Sequence, residues 1–240
     1  MNLFDSGSDY AAHRPSYPDE LPALLAELPA HRTCALDVGC GTGQLTAKMG
    51  AYFDQVLGAD PSESQVANAT GPDNVRFEVG TASQLPAADN SVDLITVAQA
   101  VHWFPDLDAF YDEARRVAAP GAAIALISYG LCHLEGLNEM YQDFYWGDFH
   151  RHWEPERRHV ENQLADITFP FERIGIESPD IVRDLTLEQF IGYLGTWSAL
   201  KSPGAREEAE AFQAELARAW GDAQLRRRVT WPVTVLAGRI

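Results

Sequence analysis

The sequence predicts an α/β fold, a doubly wound and mostly parallel sheet with helices on both faces. Between residues 33 and 128, short β-rich runs alternate with helical stretches. Those runs, LITV and AAIALI among them, are almost continuously apolar, as strands buried on both faces must be. A glycine-rich turn follows the first run and opens onto the helix-compatible QLTAKM.

The elements follow in order. Asp19 is placed to cap a helix whose leucines at 21, 24, 25 and 28 share one face, with Pro22 tolerated in its first turn. Strands are expected at Cys34 to Val38, Gln55 to Ala59, Val75 to Val79, Val92 to Val97 and Ala122 to Ser128. Asp89-Asn90 and Pro120-Gly121 supply turns ahead of the last two. Asp106 should cap a helix that turns Leu107, Phe110, Ala114 and Val117 inward. From residue 130 to 170 the chain is rich in Tyr, Trp, His and Arg without a clear strand, and reads as a helical cap. Phe171 to Ile176 resumes an extended pattern, and helices follow at Thr186 to Leu200 and Ala205 to Trp220. The second carries Ala205, Ala209, Phe212, Leu216 and Trp220 on one stripe. Arg228 to Ala237 reads as a strand whose Pro232 suits an edge or a bulge.

At 240 residues and 46% apolar, the chain has material for one substantial core and is expected to form a single domain. Eighteen basic against thirty-five acidic side chains give a formal charge of −17, which repels nucleic-acid phosphates and anionic lipid surfaces. Neither nucleic acid nor membrane is therefore an expected partner. Without a long apolar run or a basic, apolar leader, a cytoplasmic protein is expected, as a monomer or a homodimer. Cys34, Cys40 and Cys132 include no CxxC pair and suggest neither a disulfide framework nor a zinc site.

The turn LDVGCGTG, Leu36 to Gly43, has glycine at 39, 41 and 43. Glycine permits a sharp turn and a close ligand approach, and the helix N-terminus that follows favours an anionic group. A dinucleotide fingerprint would place its third glycine at position 44, where this chain has Gln44. Asp60 closes the second strand seventeen residues after Gly43, where a carboxylate can accept both hydroxyls of an adenosine ribose. A plain strand–helix connection is the alternative for the turn taken alone.

With LDVGCGTG, VLGADPSESQ, VGTASQLPAADNSVDLITVAQAVHWF, the leading YAAHRPSYP and the GTWSAL segment in view, the chain resembles the class I S-adenosylmethionine-dependent methyltransferases. Within them it looks most like the branch that includes trans-aconitate methyltransferase, over nearly its whole length. The resemblance implies a Rossmann-like seven-stranded sheet with an antiparallel last strand and a helical cap over the carboxyl edge. It divides the single domain into a flap and helix at 1–30, a cofactor core at 31–129, a cap at 130–170 and a completion of the sheet at 171–240. It implies S-adenosyl-L-methionine as cofactor and a small-molecule acceptor. Asp37, Gly39, Cys40, Gly41 and Gly43 would cradle its methionine half. Asp60 would hold the ribose, and Pro61, Ser62 and Gln65 would line the adenosine. The loop after the third strand, acidic in the family, here reads Thr81-Ala82-Ser83. Gln99 and Ala100 match positions facing the methyl group. Tyr10 and Arg14 fall in the flap, where they could stack on the cofactor and pair with its carboxylate; an exposed arm is the alternative.

Methyl transfer is an in-line displacement at a sulfonium carbon, so alignment and exclusion of water matter most. His102, in AVHWF after the fourth strand, is the candidate base or orienting group, with a purely structural turn histidine as the alternative. Tyr17, Trp103, Tyr129, Trp146 and Trp153 are candidates for the substrate pocket. A metal held by His150, His152 and His159 is not expected, because histidines two apart do not share a helix face. The reading is thus a methyltransferase acting at oxygen of a carboxylate or hydroxyl. A non-catalytic cofactor-binding regulator and a nicotinamide-dependent dehydrogenase are the competing readings.

Overall fold

The computed structural model describes residues 13–240, which pack as two compact units. One unit comprises residues 16–130, 159–179 and 233–240, and is built on the large sheet. Its strands are β1 (Cys34–Val38), β2 (Gln55–Asp60), β3 (Val75–Val79), β4 (Val92–Ala98) and β5 (Ala118–Tyr129). Further along the chain come β7 (Glu172–Ile174) and β10 (Val233–Arg239). The sheet order is β3-β2-β1-β4-β5-β10-β7, with the first five strands parallel and β10 antiparallel to both its neighbours.

The apolar runs of β4 and β5 sit in the middle of this sheet, where Ile95, Val97, Ile124 and Leu126 are fully buried. Asp93 is the polar exception in β4; its Oδ2 accepts the amides of Thr33 (2.8 Å) and Cys34 (2.9 Å), which open β1. A buried acid is thereby satisfied, and two neighbouring strands are tied together at one end.

Around the sheet lie α1 (Leu21–Ala26), α2 (Gln44–Met49), α3 (Glu63–Asn68) and α4 (Leu107–Val117). Asp106 caps α4 as its sequence predicts, accepting the Ala109 amide at 2.9 Å, and Phe110, Ala114 and Val117 are buried beneath it. Asp19 does not cap α1. The N-cap is Glu20 without a side-chain bond, which leaves Asp19 one residue before the capping position, where it pairs with Lys48 at 2.6 Å.

The other unit takes residues 131–158 and 180–232, together with the first described residues. It contains α5 (Asn138–Trp146), α7 (Leu187–Leu194) and α8 (Ala205–Trp220), whereas the short α6 (Arg158–Glu161) falls, all but its first residue, in the large-sheet unit. A small antiparallel sheet, β6 (His133–Leu134), β9 (Arg227–Trp231) and β8 (Ile181–Leu185), accompanies them in the order β6-β9-β8. Its core is aromatic. Phe144 stacks on Phe212 with ring centroids 4.0 Å apart, and Tyr193 meets Trp231 edge-on at 5.1 Å. The predicted stripe on α8 is buried as a whole.

Three expectations need correction. The stretch 130–170 does not stay together: residues 159–179 belong with the large sheet, where Tyr111 donates its hydroxyl to the Thr168 carbonyl (2.7 Å) and meets Phe169 and Phe171 edge-on. The single strand expected from Arg228 to Ala237 is two strands, broken at Pro232, which lacks the N–H a ladder needs. The second of them, β10, lies inside the large sheet and not at its edge. Finally, the helix starting after Thr186 ends at Leu194, with a short 3₁₀ turn at Ser198–Lys201. No helix among the described residues is long and apolar enough to cross a membrane.

Candidate active site

The site is built at the carboxyl ends of β1, β2, β3 and β4. Residues 39, 41 and 43 all adopt positive φ (71°, 56° and 87°), the left-handed region that favours glycine. This lets the loop fold back on β2, where the amides of Gly39 and Cys40 both donate to the Ala59 carbonyl at 2.7 and 3.1 Å. Two of the glycines are also required sterically: a Cβ on Gly39 would lie 2.5 Å from the Ala100 Cβ, and one on Gly43 2.5 Å from the Phe77 ring.

Asp60 organises the second strand's end. Its Oδ2 accepts the Gly41 amide (2.9 Å), its Oδ1 accepts the Ser62 amide (2.9 Å), and its own carbonyl accepts the Gly80 amide beyond β3 (3.1 Å). Ser62 caps α3 through the Gln65 amide, while Pro61 is exposed beside it. In the next loop Thr81 bridges to Gln84, the Thr81 and Ser83 hydroxyls are 3.4 Å apart, and Ala82 is half-buried between them.

Asp37 plays a different part from its loop neighbours. It is only 1% exposed, with Oδ2 accepting the Thr46 hydroxyl (2.6 Å) and Oδ1 the Thr96 hydroxyl (2.8 Å). It joins β1, α2 and β4 from beneath the loop. Burial raises its carboxyl to about 6 against the pull of the two hydroxyls. Burial likewise pushes the Cys40 thiol well up, reinforced by the Asp37 and Asp60 charges, so this cysteine is a packed thiol and no thiolate nucleophile.

Beyond β4, Gln99 takes a left-handed φ of 55° and is tied to β5 three times. Its amide donates to the Ile127 carbonyl (2.8 Å), its Nε2 to the Tyr129 carbonyl (3.2 Å), and its Oε1 accepts the Ser128 hydroxyl (2.9 Å). Ala100 follows against Gly39, and His102 lies half-buried in a 3₁₀ turn with its ring 4.9 Å from that of Trp103. Tyr17 is buried edge-on to Tyr129 at 6.1 Å, its carbonyl accepting Lys48 Nζ (2.8 Å).

The structure thus brings the loop, Asp60, Ser62, Gln99, Ala100, His102, Tyr17 and Tyr129 into one unit. Trp146 and Trp153 belong to the other, where Trp146 is 51% exposed and donates to Gln142, and Trp153 packs on Trp197 at 5.2 Å. Arg14 is half-buried in that unit, and Tyr10 lies outside the described residues. The three imidazoles considered for a metal have separate partners: Trp146 for His150, Ser202 and Glu208 for His152, Asp166 for His159. Among the described residues no three His, Cys, Asp or Glu gather as metal ligands would. Sequence reasoning missed Thr46, Thr96 and Phe77. Only Gly58, a small residue inside β2 where a Cβ would meet Phe77 at 2.6 Å, hinted at the last.

Comparison with known proteins gives this arrangement its class. Residues 36–126 match the family model described as methyltransferase domain. A protein of Dictyostelium discoideum named as a methyltransferase is 32% identical over 244 residues, covering 96% of this chain and 91% of its own. The solved structure of a type II methyltransferase from Anaeromyxobacter dehalogenans superposes with a TM-score of 0.86 at 38% identity, covering 94% of this chain and 97% of that one. The malonyl-[acyl-carrier protein] O-methyltransferase of Methylococcus capsulatus is 30% identical over 177 residues, 71% of this chain and 62% of its own. The fold and site define an S-adenosylmethionine-dependent methyltransferase. The chain belongs to class I of that family.

Proposed function

We propose that the chain binds S-adenosylmethionine over the Gly39–Gly43 loop and methylates an oxygen, carboxylate or hydroxyl, of a small-molecule acceptor. The observation that carries the cofactor half is the double seat of Asp60. Each carboxylate oxygen spends one lone pair on a backbone amide and keeps another, so a ribose diol can donate to a carboxylate already fixed in place. Gly39, Gly41 and Gly43 keep the loop free of Cβ atoms beside it, and Asp37 shapes it from below. Ser62, Gln65, Thr81, Ala82 and Ser83 line the adenosine side in this reading, and Gln99 and Ala100 the methionine side.

When bound, the cofactor supplies an electrophilic methyl group on sulfur. The protein's own work is to hold the acceptor oxygen in line and keep water out. A carboxylate acceptor is ionised at neutral pH and needs no base, whereas a hydroxyl acceptor delivers its proton to the His102 imidazole. Oxygen as the target is supported by the relative named as an O-methyltransferase. Three free cysteines accord with a reducing, cytoplasmic setting.

The test is methyl transfer from isotopically labelled cofactor to panels of small acids, alcohols and amines, with products identified by mass. Label appearing as an ester or ether is expected. Label found only on nitrogen or carbon would overturn the reading.

A further inference from the structure

The aromatic unit holds a charge that the methyl-transfer chemistry does not use. Arg157 ends a short 3₁₀ turn, and its Nε donates to the Tyr145 hydroxyl at 2.8 Å. Its guanidinium lies 4.5 Å from the centre of the Trp153 ring, which covers one face, and 5.8 Å from that of Tyr145. Arg116, Arg151 and Arg228 each face a carboxylate, but among the described residues Arg157 pairs with none. Glu154, whose carbonyl accepts the Arg157 amide, directs its carboxylate to the Ser198 hydroxyl at 2.9 Å.

Burial works to lower the Arg157 pKa, and the oxygens of Tyr145, Tyr193 and Tyr141 more than offset it, so the group stays charged. A cation packed among aromatic rings without a counter-ion is costly unless something else neutralises it. The residue as a whole is half-buried, and neither Nη1 nor Nη2 is among the buried side-chain nitrogens left without a partner. With Nε committed to Tyr145 and the plane held by Trp153, the remaining edge, Nη1 and Nη2, is the fork that matches the two oxygens of a carboxylate.

We propose that Arg157 is an anion-recognition site that takes the carboxylate of a small organic acid on its free edge, with Tyr145 and Trp153 fixing the orientation of the guanidinium. The binding site rests on residues of the aromatic unit alone.

The test is calorimetric and fluorescence titration of the full chain with benzoate and succinate, each against its amide, for the unaltered protein, Arg157→Gln and Arg157→Lys. The unaltered protein should bind at least one acid about tenfold or more tighter than its amide, the value of a charged hydrogen-bond pair. Arg157→Gln should abolish that preference, and Arg157→Lys, which keeps the charge and loses the fork, should weaken it, with S-adenosylmethionine affinity the same in all three. Absence of any acid preference in the unaltered protein, or an undiminished preference in either variant, would overturn the site. If Arg157→Gln fails to fold, the Arg157→Lys comparison decides. Acid binding through Arg157 without any methyl transfer would overturn the proposed function and leave this site standing, whereas methyl transfer without acid preference would do the reverse.

Discussion

The Gly41 amide donates to Asp60 Oδ2 at 2.9 Å, so the loop after the first strand and the acid closing the second form one hydrogen-bonded seat. Replacing Asp60 by alanine leaves the Gly41 and Ser62 amides without their acceptor and removes the partner proposed for the ribose. Cofactor affinity should fall by about 2 kcal/mol, roughly thirtyfold. Calorimetry of Asp60→Ala checks this; an unchanged affinity would show that the seat does not hold the cofactor.

Asp37 carries a pH signature. Its carboxyl stands at about 6 in the fold against 3.8 as a free side chain, so the folded state binds this proton more tightly than the unfolded one. The stability this adds is fully present below about 3.8 and is lost as pH rises through about 6, a difference on the order of 3 kcal/mol. Asp37→Asn removes the proton from the balance. The melting temperature of Asp37→Asn relative to the unaltered protein should therefore rise between about pH 4 and pH 7. A flat or falling difference would contradict a buried, raised carboxyl.

A Cβ on Gly43 would lie 2.5 Å from the Phe77 ring, and the residue sits at a φ of 87°. Gly43→Ala should cost about 2–4 kcal/mol in denaturant unfolding, part backbone strain and part overpacking. Adding Phe77→Leu should recover the overpacking part and leave the strain. No recovery in the double variant would mean that the ring is not the obstacle.

His102 separates two kinds of acceptor. As the group that takes a proton, its replacement by alanine should slow transfer to a hydroxyl by about 100-fold and leave transfer to a carboxylate nearly intact. Rates on an acid and an alcohol measured in parallel decide it, since equal losses on both would make His102 a packing residue.

Asp106 offers a stability test away from the site. Its Oδ1 accepts the Ala109 amide at 2.9 Å, and Asp106→Ala should cost about 1 kcal/mol in denaturant unfolding. A loss well under that would mean the cap contributes little to α4.

Much of the sheet and of the loop could be read from residues because their physics is local. Three alternate glycines dictate the turn, an acid follows the second apolar run, and buried parallel strands announce themselves by continuous apolar character. The Thr46 and Thr96 hydroxyls on Asp37 were not legible. They stand nine and 59 residues away, and a threonine carries no mark of its partner. The small sheet escaped notice because β6 has two residues and β8 buries only Ile181 fully, which leaves no periodicity to detect. Pro232 reads as an edge or bulge within one strand, but it separates two strands of different sheets, a difference that depends on distant pairing. Gln99's left-handed backbone is imposed by its bonds to β5, and no glycine stood there to signal it.

The most direct measurement is calorimetric titration of the full chain with S-adenosylmethionine, its demethylated product and a nicotinamide dinucleotide. Saturable one-to-one binding of the first two, lost in Asp60→Ala, and none of the third is the predicted result. Binding of the dinucleotide alone, or of none of the three, would contradict a cofactor site at the Gly39–Gly43 loop.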